Sequence, residues 1–345
     1  MNIFRSLPPS DSPQAGWLQA CALTIGNFDG VHRGHQAMLA LLINEAKHRG
    51  VPSCVMTFEP HPRDFFAGVQ HKPELAPARI ATTRDKLAEL AACGVDHCWL
   101  LPFNERIASM PPQQFIDDIL VRALGVRYVL VGDDFRFGAK RAGDYALLDA
   151  AGRDQGFDVA RMMSYEVHGL RVSSSAVRDA LSEGRMADAT SLLGRPYSIS
   201  GHVVHGRKLG RELGFRTLNL RFSHWKPAAS GIFVVLVHGL SKAPLLGVAN
   251  MGIRPSLDAN DVNGGRVLLE THVLDWPAHL SDELPGGEAY GRIVRVDLLH
   301  KLHDELKYDS LDALTQGIAR DCDDARAWFA SMHIQTHRQI TRDRI

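Results

Sequence analysis

Short apolar runs alternate with longer amphipathic segments between residues 20 and 190. Four of the runs have the length and apolarity of buried strands: residues 22–25, 53–58, 97–101 and 128–131. Three segments between them repeat apolar residues at helical spacing, and each ends at a glycine: residues 36–48, 84–92 and 113–124. Strands that alternate with helices in this way predict a doubly wound α/β domain built on a parallel sheet.

The pattern changes after two further short helices, which are predicted at residues 175–181 and 187–193. Gly194 and Pro196 follow, and because both residues break helices they mark a domain boundary. Five later segments have strand character without a long helix between them: residues 198–204, 232–237, 245–249, 267–274 and 293–298. Five or more such strands favour a small antiparallel β-barrel. The amphipathic pattern of residues 311–329 predicts a C-terminal helix packed on its side.

The chain is therefore expected to have five parts. They are an N-terminal extension (1–19), the α/β domain (20–193), a linker (194–197), the barrel domain with its helix (198–332) and a polar tail (333–345). We expect the tail to be frayed because it offers no apolar face to the core.

Composition narrows the classes of function. The chain of 345 residues has 39 Lys and Arg against 39 Asp and Glu, so no net field would gather nucleic acid or an anionic membrane. No apolar stretch reaches the roughly 18 residues of a membrane span, and the first residues do not read as a signal peptide. Five scattered cysteines without a C-x-x-C pair indicate neither a disulfide framework nor a zinc site. We expect a cytoplasmic protein that acts on small molecules.

The string L-T-I-G-N-F-D-G-V-H-R-G-H, residues 23–35, runs from a predicted strand through an Asp-Gly turn into a helix. Backbone amides and a helix dipole would then meet at the carboxyl end of the sheet, where open α/β folds bind phosphates. His32 and His35 share one face of the helix, and imidazoles placed there can hydrogen-bond phosphate oxygens as charge develops. This geometry suits nucleotidyl transfer. The competing interpretation is a pair of capping or core histidines beside a tight turn.

Three more strings in this domain end a strand or open a helix: T-F-E-P-H-P at 57–62, G-D-D-F-R-F-G at 132–138 and R-V-S-S-S-A-V-R at 171–178. Taken singly, they are better explained as a Pro-rich turn, an acidic turn with core aromatics and an N-cap serine cluster than as functional motifs. In this order, after G-N-F-D-G-V-H-x-G-H, they resemble the FAD synthetase variant of the HxGH nucleotidylyltransferase superfamily.

This resemblance implies roles for individual residues. The implied ATP-binding set is Gly26, Asn27, Phe28, Asp29, His32, His35, Asp134, Ser174, Ser175 and Arg178, with the two histidines catalytic. The implied flavin-binding set of the same domain is Phe58, Pro60 and His61. Arg178 also suits the triphosphate on physical grounds, because a guanidinium binds phosphate oxygens bidentately.

A glycine-rich basic string, G-H-V-V-H-G-R-K-L-G-R-E-L-G-F-R-T-L-N-L, occupies residues 201–220. Such a segment can form a flap over phosphates, or it can be a surface loop with solvated charges. Further on, alternation along a strand places Glu270 and His272 on the same face, where a carboxylate can act as a general base or can simply face solvent.

The second half resembles riboflavin kinases through G-x-V-x-x-G-x-x-x-G-R-x-x-G-F-P-T-x-N and the strings that follow. The resemblance implies an ATP-binding set (Gly206, Lys208, Gly210, Thr217 and Asn219), a catalytic base (Glu270) and a flavin-binding pair (His303 and Glu305). Thr217 and Asn219 would supply oxygens to Mg²⁺, a ligand set that this hard cation prefers. The chain departs from the family at Arg216, which replaces a Pro, and at His303, which replaces an Arg.

The two resemblances together identify the chain with the prokaryotic bifunctional riboflavin kinase and FAD synthetase family. They imply phosphorylation of riboflavin to FMN, adenylylation of FMN to FAD, ATP as co-substrate, Mg²⁺, no nucleic-acid or membrane partner, and a monomer or weak homo-oligomer. The first alternative is a monofunctional FAD synthetase whose kinase domain is degenerate and only binds flavin. A tRNA-charging enzyme and a non-catalytic flavin sensor are further alternatives.

Overall fold

The computed structural model describes residues 1–7, 20–167, 169–206, 214–221, 226–253, 267–284 and 289–342. Contacts between Cα atoms divide the chain into two compact units. The first unit comprises Met1–Pro77 and Thr83–Ser174, and the second comprises Ala78–Thr82 and Ser175–Ile345.

A parallel sheet of six described strands forms the centre of the first unit. In chain order they are β1 (Asn2–Phe4), β2 (Cys21–Ile25), β3 (Ser53–Phe58), β4 (His97–Leu101), β5 (Val126–Gly132) and β6 (Asp158–Met162). Their order across the sheet is β1-β4-β3-β2-β5-β6, and every pair is parallel. From β2 the chain adds β3 and β4 on one side and then β5 and β6 on the other, so the strand order reverses between β2 and β5. Ligands of open α/β sheets bind at such a reversal. The predicted α/β fold is confirmed.

Helices cover both faces of this sheet, since alternate residues of its strands enter different apolar clusters. The helices are α1 (Arg33–Arg49), α2 (Pro62–Val69), α3 (Thr83–Ala92), α4 (Glu105–Ser109), α5 (Pro112–Gln114), which continues as a π-helical segment (Phe115–Ala123), and α6 (Tyr145–Gln155). Two 3₁₀ turns (Pro73–Leu75 and Ala139–Arg141) and a hairpin of β7 (Glu166–Val167) and β8 (Leu170–Arg171) complete the described part.

A closed antiparallel barrel with a C-terminal helix forms most of the second unit, as predicted. Its strands are β9 (Tyr197–Val204), β10 (Thr217–Arg221), β11 (Gly231–His238), β12 (Leu245–Ile253), β13 (Val267–Val273) and β14 (Ile293–His303), in the order β10-β13-β12-β11-β14-β9 around the barrel. The helices are α7 (Ser174–Ser182), α8 (Met186–Leu193), α9 (Ala278–Glu283) and α10 (Leu311–Arg342). Val234 and Val248 on the outer face of the barrel pack against Cys322 and Ala325 of α10.

The C-terminal prediction needs correction. Helix α10 continues to Arg342, so the tail that was expected to fray after residue 332 is helical up to that point. No Gly or Pro follows Gly317, and without a helix-breaking residue the helix has no local reason to stop.

One strand of the barrel, β10, was not predicted from the sequence, because Asn219 and Arg221 interrupt its short apolar pattern.

Candidate active sites

The backbone between β2 and α1 is strained. Phe28 (φ 49°), Gly30 (φ 86°) and Val31 (φ 40°) all adopt the left-handed conformation, which is costly for a β-branched residue such as valine. Phe28 and Val31 are almost fully buried, so the surrounding packing holds them in this conformation. Strain that packing maintains is typical of ligand-binding turns.

His32 and His35 form a stacked pair at the start of α1. His32 is the N-cap residue, and its Nδ1 accepts a hydrogen bond from the backbone N–H of His35 at 3.3 Å. The two ring centroids are 3.6 Å apart. Burial, reinforced by the charges of His32 and Lys86, holds the pKa of His35 well below its usual value, so this imidazole is neutral near pH 7. Its Nδ1 is buried and has no hydrogen-bond partner among the residues that the structure describes.

A buried lysine that the sequence analysis missed lies beneath the same turn. The side chain of Lys86 on α3 is 1% exposed. Its Nζ lies 3.5 Å from the carbonyl oxygen of Asn27, 3.4 Å from Oγ1 of Thr57 and 3.3 Å from the carbonyl oxygen of Phe58. Lys86 therefore ties the end of β2 to the end of β3. The sequence did hold a signal for this burial. Lys86 lies four residues before the buried Leu90, a spacing that puts both side chains on the same apolar face of the helix.

Aromatic side chains surround the predicted flavin-binding string after β3. Phe58 is 9% exposed, and Phe103 contacts it edge-on with ring centroids 5.5 Å apart. Phe65 and Phe66 pack on Phe103 in the same manner. His61 is buried and caps α2, where its Nδ1 accepts a hydrogen bond from a backbone N–H, and Pro60 precedes it. Planar apolar rings of this kind suit an aromatic ligand.

The remaining residues of the predicted first site fall into both units. Asp134 is exposed in the turn after β5. Oγ of Ser174 donates a hydrogen bond to the carbonyl oxygen of Asp29 at 3.1 Å, which fixes the end of the first unit to the strained turn. Ser175 and Arg178 belong to the second unit. There, Nε of Arg178 donates a hydrogen bond to the carbonyl oxygen of Ala78 at 2.6 Å.

A single row of residues crosses four neighbouring pairs of strands in the barrel. Strand pairing places Asn219 opposite Glu270 and Glu270 opposite Asn250. The row continues from Asn250 to Ile232 and from Ile232 to His303. Directly opposed residues of an antiparallel sheet share one face, with Cβ atoms about 4.5–5.5 Å apart. Three residues that the sequence predicted separately, Asn219, Glu270 and His303, therefore lie on one face.

Asn219 has an unsatisfied acceptor. The residue is 4% exposed, and its Oδ1 is buried with no hydrogen-bond partner among the described residues. Its Nδ2 donates a long hydrogen bond, 3.4 Å, to the carbonyl oxygen of Thr217. A Cβ at Gly206 would lie 2.6 Å from the same Nδ2, so any larger residue there would displace the amide of Asn219. The predicted ATP-binding residues Lys208 and Gly210 lie outside the described residues.

His272 contacts the turn at Arg216, where the resemblance implies a proline. Its Nδ1 lies 2.9 Å from the carbonyl oxygen of Arg216, and its ring meets that of Phe215 edge-on with centroids 5.4 Å apart. A side-chain contact thus restrains the backbone just before Thr217, where a proline ring would otherwise restrain it.

A cavity of about 240 Å³ lies over the outer face of the barrel. Its polar lining is Thr217, Asn250, Glu270, His272, His303, Glu305 and Asp321. Its apolar lining is mainly Phe215, Ile232, Val248, Leu306, Leu314 and Ile318. One end can therefore hydrogen-bond a ligand, and the other can cover an apolar ring system.

His303 lies at the edge of this cavity, held by two hydrogen bonds. Its Nε2 lies 2.8 Å from Oδ1 of Asp321, and its Nδ1 lies 2.7 Å from the carbonyl oxygen of Asp304. Both ring nitrogens face acceptors, and only the imidazolium can donate to both. Burial lowers the pKa of His303, but the two hydrogen bonds outweigh it and hold that pKa above its usual value. These contacts favour the imidazolium at the position where the resemblance implies an arginine.

The described part of the chain contains neither a metal-binding cluster nor a membrane-spanning helix. It contains no group of three or more His, Cys, Asp and Glu side chains that could hold a metal ion. None of its helices is both long and apolar enough to cross a membrane.

Comparisons with known proteins agree with the two-part architecture. The sequence matches the FAD synthetase family over residues 16–176 and the riboflavin kinase family over residues 193–329. It is 46% identical over 320 residues to a bifunctional riboflavin kinase/FMN adenylyltransferase of Escherichia coli (strain K12). The matched region covers 93% of this chain and 95% of the Escherichia coli protein. The protein of the same name from Pseudomonas fluorescens is 44% identical over 312 residues, 90% of this chain and 94% of that one.

Among solved structures, the fold is similar to that of a macrolide-efflux protein from Streptococcus pneumoniae. The TM-score is 0.74 at 26% identity, and the match covers 95% of this chain and 100% of the other.

Proposed function

Since the chain belongs to the bifunctional riboflavin kinase/FMN adenylyltransferase family, we propose how its residues divide the two reactions between two sites. The chain phosphorylates riboflavin to FMN and adenylylates FMN to FAD, and ATP is its co-substrate. Adenylyl transfer is assigned to the strained turn and its surroundings. Phosphorylation is assigned to the row of residues across the barrel.

In adenylyl transfer, a phosphate oxygen of FMN attacks the α-phosphorus of ATP and pyrophosphate leaves. His32 uses its Nδ1 to cap α1, so in its neutral form the proton is on Nε2, which can donate to an α-phosphate oxygen. His35 adds a second neutral imidazole at the positive end of the helix dipole. Lys86 holds the ends of β2 and β3 in place and contributes positive potential beneath the turn. The rings near Phe58 hold the flavin.

In phosphorylation, the terminal ribityl hydroxyl of riboflavin attacks the γ-phosphorus of ATP and ADP leaves. Glu270 accepts the hydroxyl proton as the attack proceeds. The register, which puts Glu270 between Asn219 and Asn250, is the observation that carries this assignment. Glu270 therefore lies between two ends of the row. Asn219 marks the end proposed to bind the nucleotide, and His303, with Glu305 nearby, marks the end proposed to bind the flavin.

Mg²⁺ fits the nucleotide end of the row. The buried, unsatisfied Oδ1 of Asn219 is a neutral oxygen ligand of the type that this cation accepts, and Thr217 lies two residues earlier on the same face of β10. These two residues would hold the ion. When bound, Mg²⁺ neutralises charge on the ATP phosphates.

An active kinase is favoured over a degenerate one. The residues of the row are present, the contacts of His303 favour an imidazolium at the arginine position, and His272 restrains the turn at Arg216. Family membership also leaves the tRNA-charging and flavin-sensor alternatives without support. A cytoplasmic location and a monomer or weak homo-oligomer stay predictions.

Two single variants test the assignment. His35→Ala should slow adenylyl transfer to FMN by about 10²- to 10³-fold, because a preorganised donor is lost, and should leave phosphorylation intact. Glu270→Ala should slow phosphorylation of riboflavin by about 10²- to 10⁴-fold and leave conversion of FMN to FAD intact. Chromatography separates riboflavin, FMN and FAD after incubation with ATP and Mg²⁺. If either folded variant loses both activities, one shared site performs both reactions and the division is wrong.

A further inference from the structure

Asn250 lies beside the proposed base on the side away from the nucleotide. It is directly opposite Glu270 on the neighbouring strand, and the strand on the other side of Glu270 carries Asn219. The transferred phosphate must approach Glu270 from the Asn219 end of the row. The rest of the substrate must therefore extend past Asn250 towards His303, over the cavity that Asn250 lines.

The amide oxygen of Asn250 can accept a hydrogen bond from a ligand. Its Oδ1 is buried and accepts no hydrogen bond within the part of the chain that the structure describes. A buried carbonyl oxygen left in this state carries a desolvation cost, and a donor on a bound molecule removes that cost. An amide oxygen accepts hydrogen bonds and cannot donate them, so the complementary ligand group is an N–H or O–H.

The substrate supplies such a group at the right distance. The reacting hydroxyl of riboflavin ends a polyol chain, and the next carbon carries a second hydroxyl. Side chains directly opposed on neighbouring strands have Cβ atoms about 4.5–5.5 Å apart, so two adjacent hydroxyls of one chain can reach Glu270 and Asn250 together. The flavin ring would then extend to the apolar side of the cavity.

We propose that Asn250 is a specificity-determining residue of the kinase site, whose Oδ1 accepts a hydrogen bond from the ribityl hydroxyl next to the reacting one. This inference rests on the proposed role of Glu270. It predicts selection for a polyol chain, because an analogue without that hydroxyl leaves a buried acceptor unsatisfied.

The test compares riboflavin with 4′-deoxyriboflavin, which lacks only that hydroxyl, by kcat/KM for phosphorylation. The parent protein should prefer riboflavin by about 10- to 100-fold, as expected for one buried hydrogen bond. Asn250→Ala should reduce this ratio to less than about threefold, whereas Asn250→Asp, which keeps an acceptor at the same place, should retain most of it. A parent that does not discriminate, or an Asn250→Ala variant that keeps the parent's ratio, would overturn the proposal.

Thr271→Val is the matched control. Thr271 is the neighbour of Glu270 on β13 but faces the other side of the sheet, and its buried Oγ1 also has no partner among the described residues. This variant should keep the parent's ratio, and loss of the ratio here would show that discrimination depends on packing alone and would overturn the proposal. Failure of the proposed role of Glu270 is distinguishable, because Glu270→Ala would then still phosphorylate riboflavin at the parent's rate.

Discussion

Replacing Gly206 with alanine should damage phosphorylation through the side chain of Asn219. The new methyl carbon would lie 2.6 Å from Nδ2, 2.9 Å from Cγ and 3.0 Å from Oδ1 of that asparagine. Ordinary contact begins at 3.4 Å, so the amide must move by about 0.8 Å, the difference between 2.6 and 3.4 Å. Misplacement of a reacting or liganding group by about 1 Å can cost about 10²-fold in rate. We expect kcat for riboflavin to fall about 10- to 100-fold.

The assay follows FMN formation from riboflavin at several Mg²⁺ concentrations. Because the displaced amide is the proposed metal ligand, Gly206→Ala should also need more Mg²⁺ for half-maximal rate. Gly68→Ala is the matched control, since it makes the same chemical change in α2, where nothing lies within 4 Å of the new carbon. Conversion of FMN to FAD should be normal in both variants. A Gly206→Ala protein with the parent's kcat and Mg²⁺ requirement would refute the assignment of Asn219 as a ligand.

Three further outcomes are expected. Asn219→Ala should abolish Mg²⁺-dependent FMN formation, measured by chromatography, while FAD formation from FMN persists. A fragment that begins at Ser175 should have a higher urea midpoint than one that begins at Arg195, because the second lacks both α7 and α8, whose buried Val, Leu and Met side chains each stabilise by about 1.5–3 kcal/mol. Lys86→Met should raise the pKa of His35, followed by NMR titration of its ring protons, because it removes one positive charge that lowers this pKa. An unchanged pKa would refute the electrostatic role.

Central elements of the fold were predictable because their residues carry the whole signal. Strands β2 to β5 are buried on both faces and appear in the sequence as apolar runs. Strands β1 and β6 were not predicted because they lie at the two edges of the sheet, where exposed polar residues interrupt the pattern. Their pairing is decided by the neighbouring strand, which no local periodicity reveals.

The sites were predictable as sets of residues but not as geometry. Motif strings located His35 and Glu270, and the alternation of a strand placed Glu270 and His272 on one face. Lys86 escaped because a lysine in an amphipathic helix ordinarily faces solvent. The partnership of Asn250 with Glu270 depends on which residues face each other across two strands, and that register arises from closure of the barrel.

Two buried amide oxygens beside Glu270 lower the stability of the free protein. Asn219 and Asn250 stand on either side of Glu270, and each has a buried acceptor that no described residue satisfies. Each such group destabilises the free protein by about 1–3 kcal/mol, and apolar side chains at both positions would remove that cost. Gly206 adds a backbone without a side chain directly against Asn219. The two asparagines stand directly opposite one carboxylate, which is the arrangement expected if phosphate, metal and polyol bind at the proposed site.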